Sequence, residues 1–416
     1  MTNHQQTSNQ GRLRMTHFKT LTVAAGLMAG TALSAQAQEL HFIMCGGEVR
    51  PADQVVIDKF QADNPGVTVK MEAVEWGTCQ DKSMQLAAAG DPPDVAYMGS
   101  RTLRQLANND LIVPVTFTPE EEAAYQPGVL KTVTNGGQYW GIPHAFSTKA
   151  LYINCAVVTA AGAECKAPAT WADLVTLAKT VTDNTDAAGI GIAGKDFDNT
   201  MHMFLDFLYS NGGKVYNDDG TPALDSQQTR ETLQLYADLL PYMQSGPTEW
   251  ERDQMRDLFN DGQIAMYVSG PWGEGQHAEK VPTQIVAPIP AGPSGPSGTI
   301  LITDSLAVFK GTGNEEMAIK LAKALTSGDA QYDLDSSWGL TPILDYEKMG
   351  KTDVYYTKGN WPIFVAGIST GGPEPMVEDF KALQAVFTNM IQGIMLEEGT
   401  VDELVTQAGV ELAAVR

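Results

Sequence analysis

Short apolar runs alternate with helix-periodic stretches along most of this chain. Residues 40–44 are apolar and end at Cys45-Gly46-Gly47, predicting a buried strand that opens into a glycine-rich loop. Val55, Val56 and Phe60 suit a helix that stops near Asn64-Pro65-Gly66, and residues 67–74 alternate as a second strand. Residues 81–89 read as a helix ending at Gly90, residues 94–98 as a third strand, and Leu103 with Leu106 as the start of another helix. Strand and helix in such short alternation predict an α/β fold with an open parallel sheet covered by helices. Gly141-Ile142-Pro143 and residues 151–154 flank a polar stretch, 144–149. Thr170 with Asp173 then marks a helix start, followed by an apolar face at Leu174, Leu177, Ala178 and Val181. Residues 155–285 are richer in helix, and Pro288 to Gly298 is the strongest linker candidate. Residues 300–309 predict a strand, Ala318, Leu321, Ala322 and Leu325 a helix face, and the last 40 residues more helix. A second α/β unit inserted into the first explains this order better than two units in series. The expected parts are 38–145 and 291–345 for one lobe, 146–290 and 346–416 for the other.

Ahead of all this stand Arg12, Arg14 and Lys19, an uncharged apolar run from Leu21 to Leu33, and Ala35-Gln36-Ala37. That is the pattern of a secretory signal peptide over residues 1–37, cleaved near Ala37, and it predicts a periplasmic protein. The run is shorter than the roughly 20 residues of a membrane span. Met15 is an alternative start that leaves the export signal intact. The net charge of −23 would become about −26 on removal of that segment, and such a charge disfavours phosphate backbones and anionic headgroups. No nucleic-acid partner is expected. The four cysteines, Cys45, Cys79, Cys155 and Cys165, lie beyond the signal and suit disulfides in an oxidising compartment. Three pairings are open; strand and loop positions favour Cys45 with Cys79 and Cys155 with Cys165. Metal-ligand spacing such as Cys-x-x-Cys is absent, and no cofactor is expected.

Five stretches then fall in a telling order. They are Ala87-Ala88-Ala89-Gly90-Asp91-Pro92-Pro93-Asp94-Val95; Tyr139-Trp140-Gly141-Ile142-Pro143 with Leu151-Tyr152-Ile153-Asn154; Phe207-Leu208-Tyr209-Ser210-Asn211-Gly212-Gly213; Phe259-Asn260-Asp261-Gly262-Gln263-Ile264-Ala265-Met266-Tyr267-Val268-Ser269-Gly270-Pro271-Trp272; and Leu325-Thr326-Ser327 with Gln331. Together they resemble the extracellular solute-binding proteins of carbohydrate ABC transporters, the group that includes maltose-binding protein. The resemblance implies a two-lobed periplasmic binding protein fold, with discontinuous lobes and an interlobe cleft. It also implies a protein without enzymatic activity that delivers a small carbohydrate to a membrane-embedded ABC permease. With no sign of an oligomer in the sequence, a monomer is expected.

Matched to the family's positions, the implied ligand contacts are Gly47, Glu48 and Arg50 after the first strand, Trp76 after the second, and Ser100 and Arg101 after the third. His144, Phe146 and Ser147 fall in the first crossover, Thr200 and His202 before Gly212-Gly213, and Trp272 at a stacking position. Asp304 comes from the return strand, and Gly371 with Gly372 from a late loop. Sugars offer an apolar ring face to aromatics and a hydroxyl rim to charged groups, which suits this set. The chain departs from the family at Met98, where an aromatic is common, and before Pro373, where an arginine is common. With Arg50, Arg101, His144 and His202 near the cleft, the sugar could be an oligosaccharide, a glycoside or a substituted, anionic one. Trp338 and Trp361 read as packing residues. A polyamine receptor would also suit the acidic charge. A secreted glycoside hydrolase would need a paired-carboxylate setting, and Gly-x-Ser-x-Gly and His-Glu-x-x-His are absent.

Overall fold

The computed structural model describes residues 38–415; the expected signal peptide lies outside the described residues. Strand Gln38–Cys45 pairs in parallel with Val67–Val74 on one side and Val95–Gly99 on the other. The helices Pro51–Asp63 and Trp76–Ala88 make these returns possible, since parallel strands need a crossover between them. Strand Ile300–Val308 extends the sheet antiparallel to Val95–Gly99 and to Ile142–Ser147. A short strand, Gly372–Pro373, pairs with its beginning. A second sheet holds Ala150–Asn154 between Met266–Ser269 and Gln284–Ala287, all antiparallel. The parallel expectation therefore holds for the first three strands and fails for the return strand and the second sheet, because those connections reverse direction.

Each sheet has its own core. Leu40, Phe42, Val95, Leu306 and Leu321 pack together around the first sheet. Leu151, Phe204, Phe207, Leu208, Met266, Phe387 and Leu412 form the other, closed by helices Phe380–Met395 and Val401–Leu412. The return strand serves both, since Ile300 and Ile302 belong to the second core while Leu306 and Val308 belong to the first. Chain crossings between the sheets run side by side. Lys149 N donates to Thr299 Oγ1 at 2.8 Å, and the Thr299 hydroxyl donates to Asp206 at 2.9 Å. Thr148 N donates to Thr341 Oγ1 at 3.2 Å.

The disulfides join Cys45 to Cys79 and Cys155 to Cys165, with Cα separations of 5.4 and 5.3 Å. The first fastens the end of the central strand to the helix that carries Trp76. The expected helix over 81–89 begins five residues earlier, at Trp76, so the tryptophan is its first residue. The polar stretch 144–149 is mostly strand, its side chains buried between sheet and helices. Thr170 and Asp173 form the reciprocal cap of helix Trp171–Asn184, as their spacing predicts. Among the described residues, no helix is long and apolar enough to cross a membrane.

Candidate functional site

A cavity of about 490 Å³ opens between the two cores, at the carboxyl ends of the parallel strands. The glycine loop after the first strand supplies one rim. Gly46 and Gly47 both donate to Val74 O, at 2.9 and 3.0 Å. Gly47 has φ +77°, and a Cβ there would lie 2.6 Å from Glu75 Oε1. Only glycine allows the loop to close on Glu75 in this way. Glu48 follows on the cavity wall.

The floor is aromatic. Tyr97, on the third strand, has its ring 5.7 Å from Trp76 and 6.3 Å from Trp338, both edge-on. Trp338 ends helix Gly328–Trp338, which left-handed Gly339 terminates at φ +79°. A Cβ on Gly339 would approach Trp272 Cα at 3.2 Å, so this glycine also lets the Trp272 backbone come close. The Trp272 ring folds back over Gly270, where a Cβ would stand 2.3 Å from it. Lys149 Nζ lies 4.9 Å and Arg252 Cζ 5.1 Å from the centre of that indole.

Arg101 is the electrostatic hub. It is 2 % exposed, and it meets Asp198 at 2.6 Å, Asp304 at 3.4 Å and Glu374 at 3.5 Å. Burial opposes its charge, but Glu374, Asp198 and Asp304 together drive its affinity for the proton above the usual arginine range. Burial pushes Asp198 up, and Arg101 and then His202 outweigh it, leaving that carboxyl below the ordinary range. Asp304 ends at about 6 because burial outweighs Arg101. Tyr97 donates its hydroxyl to Asp304 at 3.1 Å, and His202 Nε2 lies 2.5 Å from Glu374. Lys149 is lowered to about 8, first by burial and then by Arg252, against the pull of Asp206, Asp304 and Glu374.

Of the residues expected from the sequence, Glu48, Trp76, Arg101, Ser147, His202 and Trp272 line this cavity. Gly47 shapes its rim. Arg50 lies beneath it, its guanidinium 3.1 Å from the centre of the Trp338 ring and 3.6 Å from Asp53. Ser100 is not brought to the wall; it is 1 % exposed and bonds to Ser305 at 2.8 Å. His144 and Phe146 are corrected to buried positions off the wall. His144 is the extra residue of a bulge against strand Ile300–Val308, its ring 6.0 Å from Tyr97 and its Nε2 3.6 Å from Asp53. Phe146 packs with Val129 and Ile343. Burial holds the His144 imidazole at about 3, with Arg50 adding to the effect. Thr200 is also buried, donating its hydroxyl to Lys195 O at 2.6 Å. Asp304 acts from behind Arg101 and Tyr97. Gly371 and Gly372 line a different hollow of about 830 Å³, packed on Leu301 and Tyr209.

Sequence reasoning missed Lys149, Arg252, Asn199 and Tyr97, and took Trp338 for packing. Tyr97 and Met98 alternate across the third strand, so Tyr97 lines the cavity while Met98 is buried among Leu103, Leu106 and Ala307. Trp361 does pack, 4.9 Å from Tyr355. Lys149 carried a signal that was available: a lysine in a crossover between two buried strands. Among the described residues, no cluster of His, Cys, Asp or Glu is arranged to hold a metal ion.

Comparison with known proteins adds to this geometry. Residues 46–332 match the model of the family described as bacterial extracellular solute-binding protein. A Brucella abortus protein, named only as a candidate binding protein, is 27 % identical over 94 % of this chain and 98 % of its own. The solved ABC transporter solute-binding protein from Thermotoga lettingae, bound with α-D-tagatose, superposes with a TM-score of 0.80. It is 25 % identical, over 90 % of this chain and 99 % of that one. Maltose-bound MalE3 of T. maritima has a TM-score of 0.78 and 22 % identity, over 90 % of this chain and 99 % of its own.

Proposed function

The chain belongs to the bacterial extracellular solute-binding proteins, and from that premise we propose that it captures a small carbohydrate between its lobes and delivers it to a membrane-embedded ABC permease. The cleft carries this reading. Its volume of about 490 Å³ lies within the range of small-molecule sites. Trp76, Trp272 and Trp338 offer apolar surface, while Glu48, Glu75 and Asn199 offer polar groups at the rim. A flat ring with a hydroxyl edge is the complement of such walls. The tagatose held by the Thermotoga relative supports the same ligand class.

The protein acts in the periplasm as a monomer, after cleavage near Ala37, with no nucleic-acid partner and no reaction of its own. The expected lobes, 38–145 with 291–345 and 146–290 with 346–416, are part of this reading, and residues 148–149 lie between the strands of the two sheets. A hydrolytic role for Asp198, Asp304 and Glu374 is disfavoured because they are gathered on Arg101 instead of facing each other across an open cleft. A polyamine is disfavoured because Lys149 and Arg252 already stand over the Trp272 ring. A thermal-shift screen of residues 38–416 against sugars, sugar acids, polyols and polyamines tests the reading, since a ligand of the folded state raises the melting temperature. A sugar hit supports it; a polyamine hit with all sugars silent overturns it.

A further inference from the structure

The cations of the cleft differ in how far their charge is already answered. Arg50 lies on Trp338 and pairs with Asp53, Arg101 has three carboxylates, and His202 meets Glu374. Lys149 is different. It lines the cleft and is 6 % exposed, yet its Nζ has one hydrogen-bond partner among the described residues, Ser147 Oγ at 2.7 Å. An ammonium carries three donors, and no carboxylate among the described residues comes within 4.0 Å of this one. Asp304 and Glu374 are committed to Arg101, and Asp206 accepts from the Thr299 hydroxyl and Ile300 N.

Arg252 stands over the same indole as Lys149. Its Nη2 donates to Asp253 at 2.7 Å, and its other N–H groups have no partner among the described residues. The charge of Arg252 opposes that of Lys149, and among the described residues only Asp253 pairs with Arg252. An anion that reaches both sets of unused donors relieves that repulsion, with Asp253 and Asp257 beside Arg252 on the cavity lining. The opposite wall has the reverse character. Glu48 and Glu75 line it, and neither is paired with a cation among the described residues. They would accept sugar hydroxyls and repel an anion, which gives the ligand a direction.

Resting on the sugar reading above, we propose that the bound sugar carries an anionic substituent, a carboxylate being the simplest, seated at Lys149 and Arg252 beside Trp272, with its neutral rim turned to Glu48 and Glu75. The test is calorimetric titration of residues 38–416 with D-glucuronate and D-galacturonate against D-glucose and D-galactose, and with glucose 6-sulfate as a second anionic form. The acids should bind at least tenfold more tightly than their neutral parents. Lys149→Met and Arg252→Gln should each weaken acid binding about ten- to a hundredfold, the scale of a charge-assisted hydrogen bond, and bring the acid-to-neutral ratio towards one. Lys149→Arg should keep the preference. If Lys149→Met fails to fold, Arg252→Gln at its more exposed site decides. Neutral sugars matching the acids, or variants that keep the acid preference, overturn the inference and leave the sugar reading standing. Silence from acids and neutral sugars alike also overturns the inference, while the sugar reading stands or falls on the wider thermal screen.

Discussion

At the scale of single residues, the cleft is organised by side chains that are absent as much as by those present. The Trp272 ring rests where a Gly270 side chain would be, 2.3 Å from a Cβ built there. Gly270→Ala should therefore displace the indole and weaken sugar binding, by the same order as Trp272→Ala, about 1–3 kcal/mol. Calorimetry on both variants checks this, and unchanged affinity in Trp272→Ala would remove that ring from the site. Asp335 yields a pH-dependent expectation away from the cleft. Burial holds its carboxyl at about 7, against hydrogen bonds donated by the Tyr346 hydroxyl at 2.6 Å and by Gln331 Nε2 at 2.7 Å. A pKa raised above the ordinary 3.8 means its contribution to stability is complete below about pH 4 and is lost as pH rises through about 7. Relative to the wild type, Asp335→Asn should gain in melting temperature between pH 4 and 8. Parallel profiles would show that Asp335 does not titrate in this way.

At the scale of elements, the disulfides differ in what they fasten. Cys45–Cys79 closes 34 residues and Cys155–Cys165 only 10. In the chain-entropy model the longer loop is worth about 1 kcal/mol more. The pair Cys45→Ala and Cys79→Ala should cost more in urea denaturation than Cys155→Ala with Cys165→Ala; the reverse order would show that strain or the unfolded state dominates. The elements themselves were legible where periodicity was local. The strand 67–74, the cap at Thr170 and the helix face through Leu321 and Leu325 lie where the pattern put them. The antiparallel second sheet was not legible, because strand direction depends on which distant partners meet. In the site, glycine loops and tryptophans announced themselves, whereas Lys149 and Arg252 gain their role only from a shared indole that no spacing reveals. His144 and Phe146 were expected at the wall and are buried, because a bulge at His144 and the packing of Phe146 on Val129 and Ile343 depend on distant partners that local pattern does not reveal.

At the scale of the whole molecule, Arg101 couples the two cores. It arises from the helix after the third strand and reaches Asp198, at the start of the helix that fills the second core, as well as Glu374. Removing one partner of a buried ionic group typically costs about 3–5 kcal/mol. Arg101→Ala should lose that much in equilibrium denaturation, and a loss below 1 kcal/mol would mean the carboxylates are relieved by protonation or water. Capture of a ligand by two lobes also requires that it bind one arrangement better than another, since only differential affinity shifts such a balance. A sugar that is bound should reduce the radius of gyration in small-angle scattering wherever the free protein samples a more open form; an unchanged or larger radius would argue against closure around the ligand.

The central claim is that a sugar binds in this cleft against its tryptophans, Trp76 and Trp272 among them. The most direct measurement is calorimetric titration of the leading sugar from the thermal screen into the wild-type protein, Trp76→Ala and Trp272→Ala. One sugar per protein, with affinity reduced in both variants while their melting temperatures in the absence of ligand stay close to the wild type, is the predicted result. Binding that survives both substitutions unchanged would place the sugar elsewhere and contradict the account.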